Sequence, residues 1–117
     1  MSNTAVTSTT SIQKISDLRD QLIIPVVDET QRYLGFFRYE DVEKFKGEVS
    51  TCKDLLLRVD PSGNTKFMYV DPHESPVEAL RKIAQYKSNF LPLVDHNGVY
   101  TGTVDIKGLS ELLESTP

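Results

Sequence analysis

Two stretches of the chain, IIPVVDETQRYLGFF (residues 23–37) and FLPLVDHNGVYTGTV (residues 90–104), carry one pattern written twice. At a fixed offset of 67, Pro25 matches Pro92, Val27 matches Val94 and Asp28 matches Asp95. Tyr33 then matches Tyr100, and Gly35 matches Gly102. Conservative pairs fill the gaps: Ile24 with Leu91, Val26 with Leu93, Phe37 with Val104. The register runs on into Val42/Leu109 and Phe45/Leu112. Upstream, Ile12, Ile15 and Leu18 match Val77, Leu80 and Ile83 at an offset of 65, which puts a two-residue deletion between helix and strand in the first copy. Internal repetition of this kind means that one supersecondary unit has been used twice.

Each copy reads as helix, strand, turn, strand, helix. In the second copy Ser75 can cap a helix, Pro76 suits its first position and Glu78 completes a capping box. Val77, Leu80, Ile83 and Ala84 form its apolar stripe. Phe90 to Val94 is a buried strand. Asp95-His96-Asn97-Gly98 is a turn, because Asp and Asn bond their own backbone and Gly supplies positive φ. Val99 to Val104 returns as a strand, and Asp105 caps a last helix with Leu109, Leu112 and Leu113 facing inward. The first copy follows the same plan. Thr10 or Ser11 caps a helix, Ile23 to Val27 and Arg32 to Phe37 are strands around a turn at Asp28 to Gln31, and Glu40 to Phe45 is the closing helix. A short helix over Lys53 to Arg58, a loop at Pro61-Ser62-Gly63-Asn64 and a short strand from Phe67 to Val70 connect the copies. One such unit cannot bury both faces of its sheet alone, whereas two packed sheet to sheet around a pseudo-twofold can.

Composition narrows the functional classes. Hydrophobic residues at 38% and charged residues at 26% suit a folded core in one compact unit of 117 residues. No apolar run approaches the roughly 18 residues of a membrane span. The Ser/Thr-rich Met1 to Ser11 lacks the features of a signal peptide. The single Cys52 cannot form an internal disulfide and reads as a small buried hydrophobe, which suits a reducing, cytoplasmic setting. A net charge of -4 argues against nucleic acid, and the densest basic stretch, Arg81 to Lys87, is a solvated helix face. The two histidines, His73 and His96, lie in turns without Cys or paired acids at ligand spacing. No phosphate loop, nucleophile elbow or zinc spacing is present, so an enzyme is not expected.

The stretch SPVEALRKIAQYKSNFLPLVDHNGVYTGTVDIKGLSELL resembles a CBS domain, the family named after cystathionine β-synthase, and IIPVVDETQRYLGFFRYEDV fits the same pattern in the first copy. The family pattern is an apolar-Pro-Val-Val-Asp strand, a Gly-bearing turn, an apolar-Gly-apolar-apolar strand, then Thr/Ser-x-x-Asp opening a helix. The resemblance covers about residues 5 to 114. It implies an α/β (α+β) fold of two β-α-β-β-α repeats related by a pseudo-twofold, with repeat one over 1–50, a linker helix and loop over 51–64, and repeat two over 65–117. It implies a non-catalytic regulatory module with two clefts, often a homodimer, attached to or partnering an enzyme or transporter, and often binding AMP, ADP, ATP or S-adenosylmethionine. Other members bind nothing known and serve as dimerisation or interaction scaffolds. The tight fit of the chain around its two repeats also suits an excised piece of a larger protein.

In ligand-binding members the Thr/Ser-x-x-Asp carboxylate holds the ribose hydroxyls, and adenine sits on apolar strand residues beside the Pro. Carried to this sequence, the resemblance makes Asp41, Arg38, Ile23, Ile24 and Pro25 the candidate adenosine cleft. Copy one reads Arg38-Tyr39-Glu40-Asp41: the carboxylate is kept, and an Arg able to meet phosphate bidentately replaces the hydroxyl. Copy two reads Asp105-Ile106-Lys107-Gly108, so Gly stands at the ribose position and an acid where phosphate would lie. Phe90, Leu91 and Asp105 then form a weaker second cleft. The extended segment that usually walls a cleft is short in copy one, since Met1 to Thr10 leaves little room. Asp41 and Asp105 also have a plainer reading, as acids favoured in a first helical turn and at a helix cap.

Overall fold

The computed structural model describes residues 4–86 and 90–115, with side chains through Glu111. In chain order it runs β1 (Val6–Thr7), two 3-10 turns (Ile12–Lys14 and Ser16–Leu18), β2 (Ile24–Val27), β3 (Tyr33–Phe37), α1 (Tyr39–Phe45), α2 (Cys52–Val59) and a 3-10 turn (Asn64–Phe67). Repeat two follows with α3 (Pro76–Gln85), β4 (Phe90–Val94), β5 (Tyr100–Asp105) and α4 (Ile106–Ser115).

Both hairpins form in the expected register and share a defect. In the first, Val26 stands opposite Gly35 and Val27 opposite Tyr33; in the second, Leu93 stands opposite Gly102 and Val94 opposite Tyr100. The pairing slips at the same place, one residue being left over in the return strand, which is a β-bulge. Each hairpin has a parallel neighbour on the other side of its first strand. β1 pairs with β2 through Val6 and Val26, and Val70 forms a single parallel bridge to Leu93. β2 and β4 are therefore the inner strands, and no residue of β2 is exposed.

The period-two alternation of the strands sorts the core. Ile24 and Val26 face the helices and pack with Val6, Ile12, Ile15, Phe37, Val42 and Leu55. Leu91 packs with Val70, Ala79, Ile83 and Leu109 in repeat two. Ile23, on the opposite face of the first sheet, joins Tyr33, Phe36 and Val94 in a third cluster that draws in Met68, Tyr69, Phe90 and Tyr100. This third cluster is the sheet-to-sheet contact between the repeats. At its edge the hairpin turns exchange backbone bonds: the Tyr33 amide donates to the Gly98 carbonyl at 2.9 Å, and the Tyr100 amide donates to the Gln31 carbonyl at 3.0 Å. Donors and acceptors are equivalent under the offset of 67, as a pseudo-twofold requires.

The turns themselves are near-copies. Asp28 Oδ1 accepts from the Thr30 amide and hydroxyl, each at 2.8 Å, and from the Arg32 amide at 3.0 Å. Asp95 Oδ1 accepts from the amides of Asn97 and Val99 at 2.8 and 3.0 Å. The fourth turn residue is left-handed in both, with φ 81° at Gly98 and 69° at Gln31.

Several local expectations are corrected. The helix read from Ile12, Ile15 and Leu18 is a pair of 3-10 turns. Ile12 and Ile15 are buried as the spacing required, and Ser11 accepts from the Gln13 amide at 3.3 Å. The segment is tied to the linker, however: Ile12 N–H bonds Ser50, Cys52 N–H bonds Thr10 and Lys53 N–H bonds Ser8. The paired Val6 and Val26 lie closer in sequence than Val70 and Leu93, so there is less chain for a helix to use. The strand expected over Phe67 to Val70 is reduced to the Val70 bridge, because the chain before it is wound around the Asp60 carboxylate. In α3, Ser75 accepts from the Glu78 amide at 3.2 Å and Pro76 opens the helix, but the Glu78 carboxylate pairs with Arg81 at 3.1 Å. The buried face of α3 is Ala79 and Ile83, with Leu80 half-buried; Val77 is 53% exposed and Ala84 lies outside. Leu109 is buried as expected, whereas the side chains of Leu112 and Leu113 lie outside the described residues. Cys52 is fully enclosed, and burial pushes its thiol up to about 11.

Candidate functional site

The two Thr/Ser-x-x-Asp positions open α1 and α4, each directly after the last strand of its hairpin. In repeat one Arg38 is the residue before the helix. The Asp41 amide donates to the Arg38 carbonyl at 3.0 Å, and Asp41 Oδ2 accepts from the Arg38 amide at 3.1 Å. Asp41 thereby stabilises the start of α1, as the plainer reading had it. Its Oδ1 takes no bond among the described residues. In repeat two Asp105 is the cap, and its Oδ1 accepts from the Gly108 amide at 2.7 Å. A Cβ added to Gly108 would stand 3.0 Å from that same oxygen.

Asp41 and Arg38 line one cleft of about 290 Å³. Phe36, Phe37 and Met68 supply apolar surface there, and Asp60, Asn64 and Thr65 supply polar surface. Among the described residues the wall facing Asp41 therefore comes from the inter-repeat linker and not from Thr4 to Thr10. A second cleft of about 230 Å³ lies beside it, lined by Arg19, Gln21, Leu22, Arg38, Tyr39 and Glu40. Its counterpart in repeat two, of about 400 Å³, is lined by Phe90, Asp105, Ile106 and Lys107. Arg38, Tyr39 and Glu40 correspond to Asp105, Ile106 and Lys107 at the repeat offset, so these two clefts occupy equivalent places. Arg38 of the first is replaced by Asp105 in the second, and Glu40 by Lys107.

The side chains of Ile23, Ile24 and Pro25 are shut off from solvent and line none of these clefts; Ile23 lies in the inter-repeat cluster and Ile24 in the core of repeat one. Only their backbone could reach a ligand. Leu91 is likewise fully buried, while the half-buried Phe90 does line its cleft.

The linker wall is built by Asp60. Its carboxylate accepts from the Asn64 amide at 2.9 Å, the Thr65 amide at 2.8 Å and the Thr65 hydroxyl at 2.6 Å. Partial burial pushes the Asp60 carboxyl up, but the Thr65 hydroxyl and the two amides outweigh it and hold the group below its usual range. Thr65 in turn accepts from the Phe36 amide at 3.2 Å through its hydroxyl, and from the Tyr33 hydroxyl at 2.6 Å through its carbonyl. Burial, then the nearby Asp60 charge, raises the Tyr33 phenol far above its usual value, so it acts as a donor throughout. The wall is pressed so closely onto β3 that a Cβ on Gly35 would lie 2.6 Å from Thr65 Oγ1. Asp60, Asn64, Thr65, Arg19 and Gln21 were not among the sequence candidates. The Asp-Pro-Ser-Gly-Asn-Thr run signals a turn, but nothing in the first repeat corresponds to it.

The histidines are apart from all of this. His73 and His96 are exposed in turns, and no three metal-ligating side chains gather among the described residues. No helix among them is long and apolar enough to cross a membrane.

A family model described as CBS domain matches residues 63–115. Comparison with curated protein sequences gives no match. Solved structures of similar fold are numerous. The cytosolic domain of the Mg2+ channel MgtE in complex with ATP is 22% identical, with a TM-score of 0.74 over 92% of this chain and 44% of that one. CBSX2 in complex with AMP is 17% identical, with a TM-score of 0.73 over 95% and 87%. A CBS domain pair/ACT domain protein from Thermotoga maritima is 18% identical, with a TM-score of 0.72 over 97% and 90%. Residues 63–115 match the CBS domain family by sequence, and the chain as a whole has the fold of solved CBS-domain-pair structures.

Proposed function

We propose that the chain is a regulatory module that takes an adenosine-containing ligand at its first repeat and conveys that state to an attached or partnering protein. The observation that carries this is the pairing, in one cleft, of Asp41 with an uncommitted Oδ1 and Arg38 with its guanidinium, beside apolar Phe36, Phe37 and Met68. A carboxylate oxygen suits ribose hydroxyls, and a guanidinium suits phosphate. The ATP and AMP of two structural neighbours support the ligand class. Repeat two lacks this pairing, since Gly108 stands in place of the carboxylate and Asp105 in place of the guanidinium, beside Lys107. One ligand per chain is the expectation.

Calorimetry with AMP, ADP, ATP, S-adenosylmethionine and NAD tests the reading. Hydrogen bonds to charged groups contribute roughly 1.5–3 kcal/mol, so Asp41→Ala should weaken binding about tenfold or more. Asp41→Asn keeps an acceptor for the Arg38 amide and separates the loss of charge from the loss of the cap. Two tight sites per chain, or affinity indifferent to both variants, defeats the assignment. A second reading, a ligand-free scaffold, is favoured by one observation: Asp41 and Asp105 both cap their helices, a role that needs no ligand. No heat with any adenosine compound would select it. Under either reading we propose pairing with a second copy through the outer helix faces, where Val77 and Ile106 are exposed.

A further inference from the structure

The linker segment from Asn64 to Tyr69 is a partition with a cavity on either side. Asn64, Thr65 and Met68 line the Asp41 cleft. Lys66, Phe67 and Tyr69 line a smaller cavity of about 140 Å³, completed by Tyr33, Val94 and Gly98. The two cavities share no lining residue. The smaller one draws on every part of the chain: Tyr33 from repeat one, Val94 and Gly98 from repeat two, and the linker between them.

Tyr33 and Val94 belong to the apolar cluster between the repeats, and Tyr69 packs against it. The rings of Tyr33 and Tyr69 meet edge to face, with centroids 6.2 Å apart. Phe67 is 71% exposed, so the core does not need it. Its neighbour Lys66 takes no hydrogen bond or ion pair among the described residues. Nor does the fold dictate these side chains. Val6 and Val70 occupy equivalent places, beside Val26 and Leu93. The sequence ahead of Val6 is Ser2-Asn3-Thr4-Ala5, whereas that ahead of Val70 is Lys66-Phe67-Met68-Tyr69. Rings and a cation stand in one copy, small residues in the other.

An apolar cavity of roughly 150 Å³ holds a benzene ring, so this one has room for a single six-membered ring. Three aromatic side chains form its walls, and their faces and edges favour another ring over an aliphatic group of the same size. Lys66 is the one charged side chain in the lining. Asp60, whose charge reaches Tyr33, lines the opposite cleft and is engaged by three donors.

We propose that this cavity is a second ligand site, for a small aromatic carboxylate whose ring lies among Phe67, Tyr69 and Tyr33 and whose carboxylate meets the Lys66 ammonium. Phe67, otherwise a surface ring, gives the ligand its outer wall. Occupation does not depend on an adenosine ligand at Asp41. The occupant touches both repeats and the linker, so it fastens the pair together and stabilises the fold by mass action.

Benzoate is the probe, and benzyl alcohol its uncharged counterpart. The full chain, labelled with ¹⁵N, is titrated with each, and affinities are read from the amide shifts. Benzoate should saturate one site per chain, move the amides of Phe67, Tyr69 and Gly98 most, and raise the thermal midpoint. Lys66→Met should weaken benzoate about fivefold, the upper range for a partly exposed ion pair, and leave benzyl alcohol unchanged. Phe67→Ala should weaken both. Lys66 and Phe67 are exposed, so neither variant endangers folding. Asp41→Ala should leave benzoate affinity as it was. Shifts that do not saturate or that centre away from these residues overturn the assignment. So does benzyl alcohol bound as tightly as benzoate with Lys66→Met without effect. Benzoate affinity lost in Asp41→Ala would seat the probe in the other cleft and overturn it as well.

Discussion

Arg32 and Val99 face each other as an antiparallel bridge, and the local twofold relating the repeats passes between them. They are the same position in the two copies. The bonds on either side, Tyr33 to Gly98 and Tyr100 to Gln31, are images of each other. The geometry at this axis is therefore dictated twice, and a misfit in one copy is felt by both.

Gln31 is such a misfit. It occupies at φ 69° the place that Gly98 fills at 81° in the other turn. A left-handed backbone costs a residue with a Cβ roughly 1–2 kcal/mol. Gln31→Gly should therefore stabilise the fold by about 0.5–1 kcal/mol after the added freedom of the unfolded chain is subtracted. Urea unfolding should show a higher midpoint with unchanged slope. An unchanged or lowered midpoint would mean that the Gln31 side chain makes a compensating contact.

Gly35 and Gly102 are equivalent in sequence and in backbone, with φ 147° and 152°, yet their surroundings differ. A Cβ at Gly35 meets Thr65 Oγ1 at 2.6 Å and Leu56 at 3.3 Å, while one at Gly102 meets nothing within 4 Å. Both Ala variants carry the backbone strain, but only Gly35→Ala adds overpacking, worth about 1–3 kcal/mol. Thermal unfolding should rank Gly35→Ala well below Gly102→Ala, and adding Thr65→Ala should narrow the gap. Equal losses in the two would show that the linker wall can move aside.

Three carboxyls are held below their usual range in the folded chain and contribute to the acid limb of stability. The Thr30 hydroxyl and the Arg32 amide lower Asp28, the Val99 amide lowers Asp95, and Asp60 is lowered despite its burial. Each has a folded value below its usual 3.8, so its contribution is complete above that pH. It is lost as pH falls through the folded values, when the folded state must take up protons. Stability measured by urea from pH 7 downward should be flat with respect to these groups until about pH 4 and then drop. Asp60→Asn should lower the plateau and soften the drop. A drop that is equally steep in the variant would place the acid sensitivity elsewhere.

Light scattering at micromolar concentration should return a mass above the 13.2 kDa of one chain. Val77, 53% exposed on α3, is where a charge should do most harm to pairing and least to folding. Val77→Lys should move the mass toward a single chain with no loss of helical signal. A single 13.2 kDa species in the wild type would count against pairing.

The two hairpins were legible because two independent signals agreed: short apolar runs around turn residues and repetition between the copies; the parallel neighbour β1 was not read from either. Ile23, Ile24 and Pro25 were read together as one cleft wall, whereas the strand sends Ile24 and Val26 into the core of repeat one and Ile23 into the contact between the repeats. The first helix misled because Ile12, Ile15 and Leu18 satisfy a helical spacing that 3-10 turns also satisfy over so short a run. The decision lay in backbone bonds to Ser50 and Cys52, far away in sequence. Asp41 and Arg38 were legible because a motif position marks them. Asp60 and Thr65 were not, because each acts by gathering backbone groups whose positions exist only once the chain is folded.

The exchange across the axis has a historical consequence. Two identical copies of one repeat, as separate chains, could form the same pair of bonds across a true twofold. The present chain is equivalent to such a dimer with its subunits covalently joined. Joining removes the requirement that both halves stay the same. Gln31 against Gly98, Arg38 against Asp105 and Asp41 against Gly108 are substitutions that a dimer of identical subunits would have to make in duplicate. Fusion lets one half retain a polar pocket while the other gives it up.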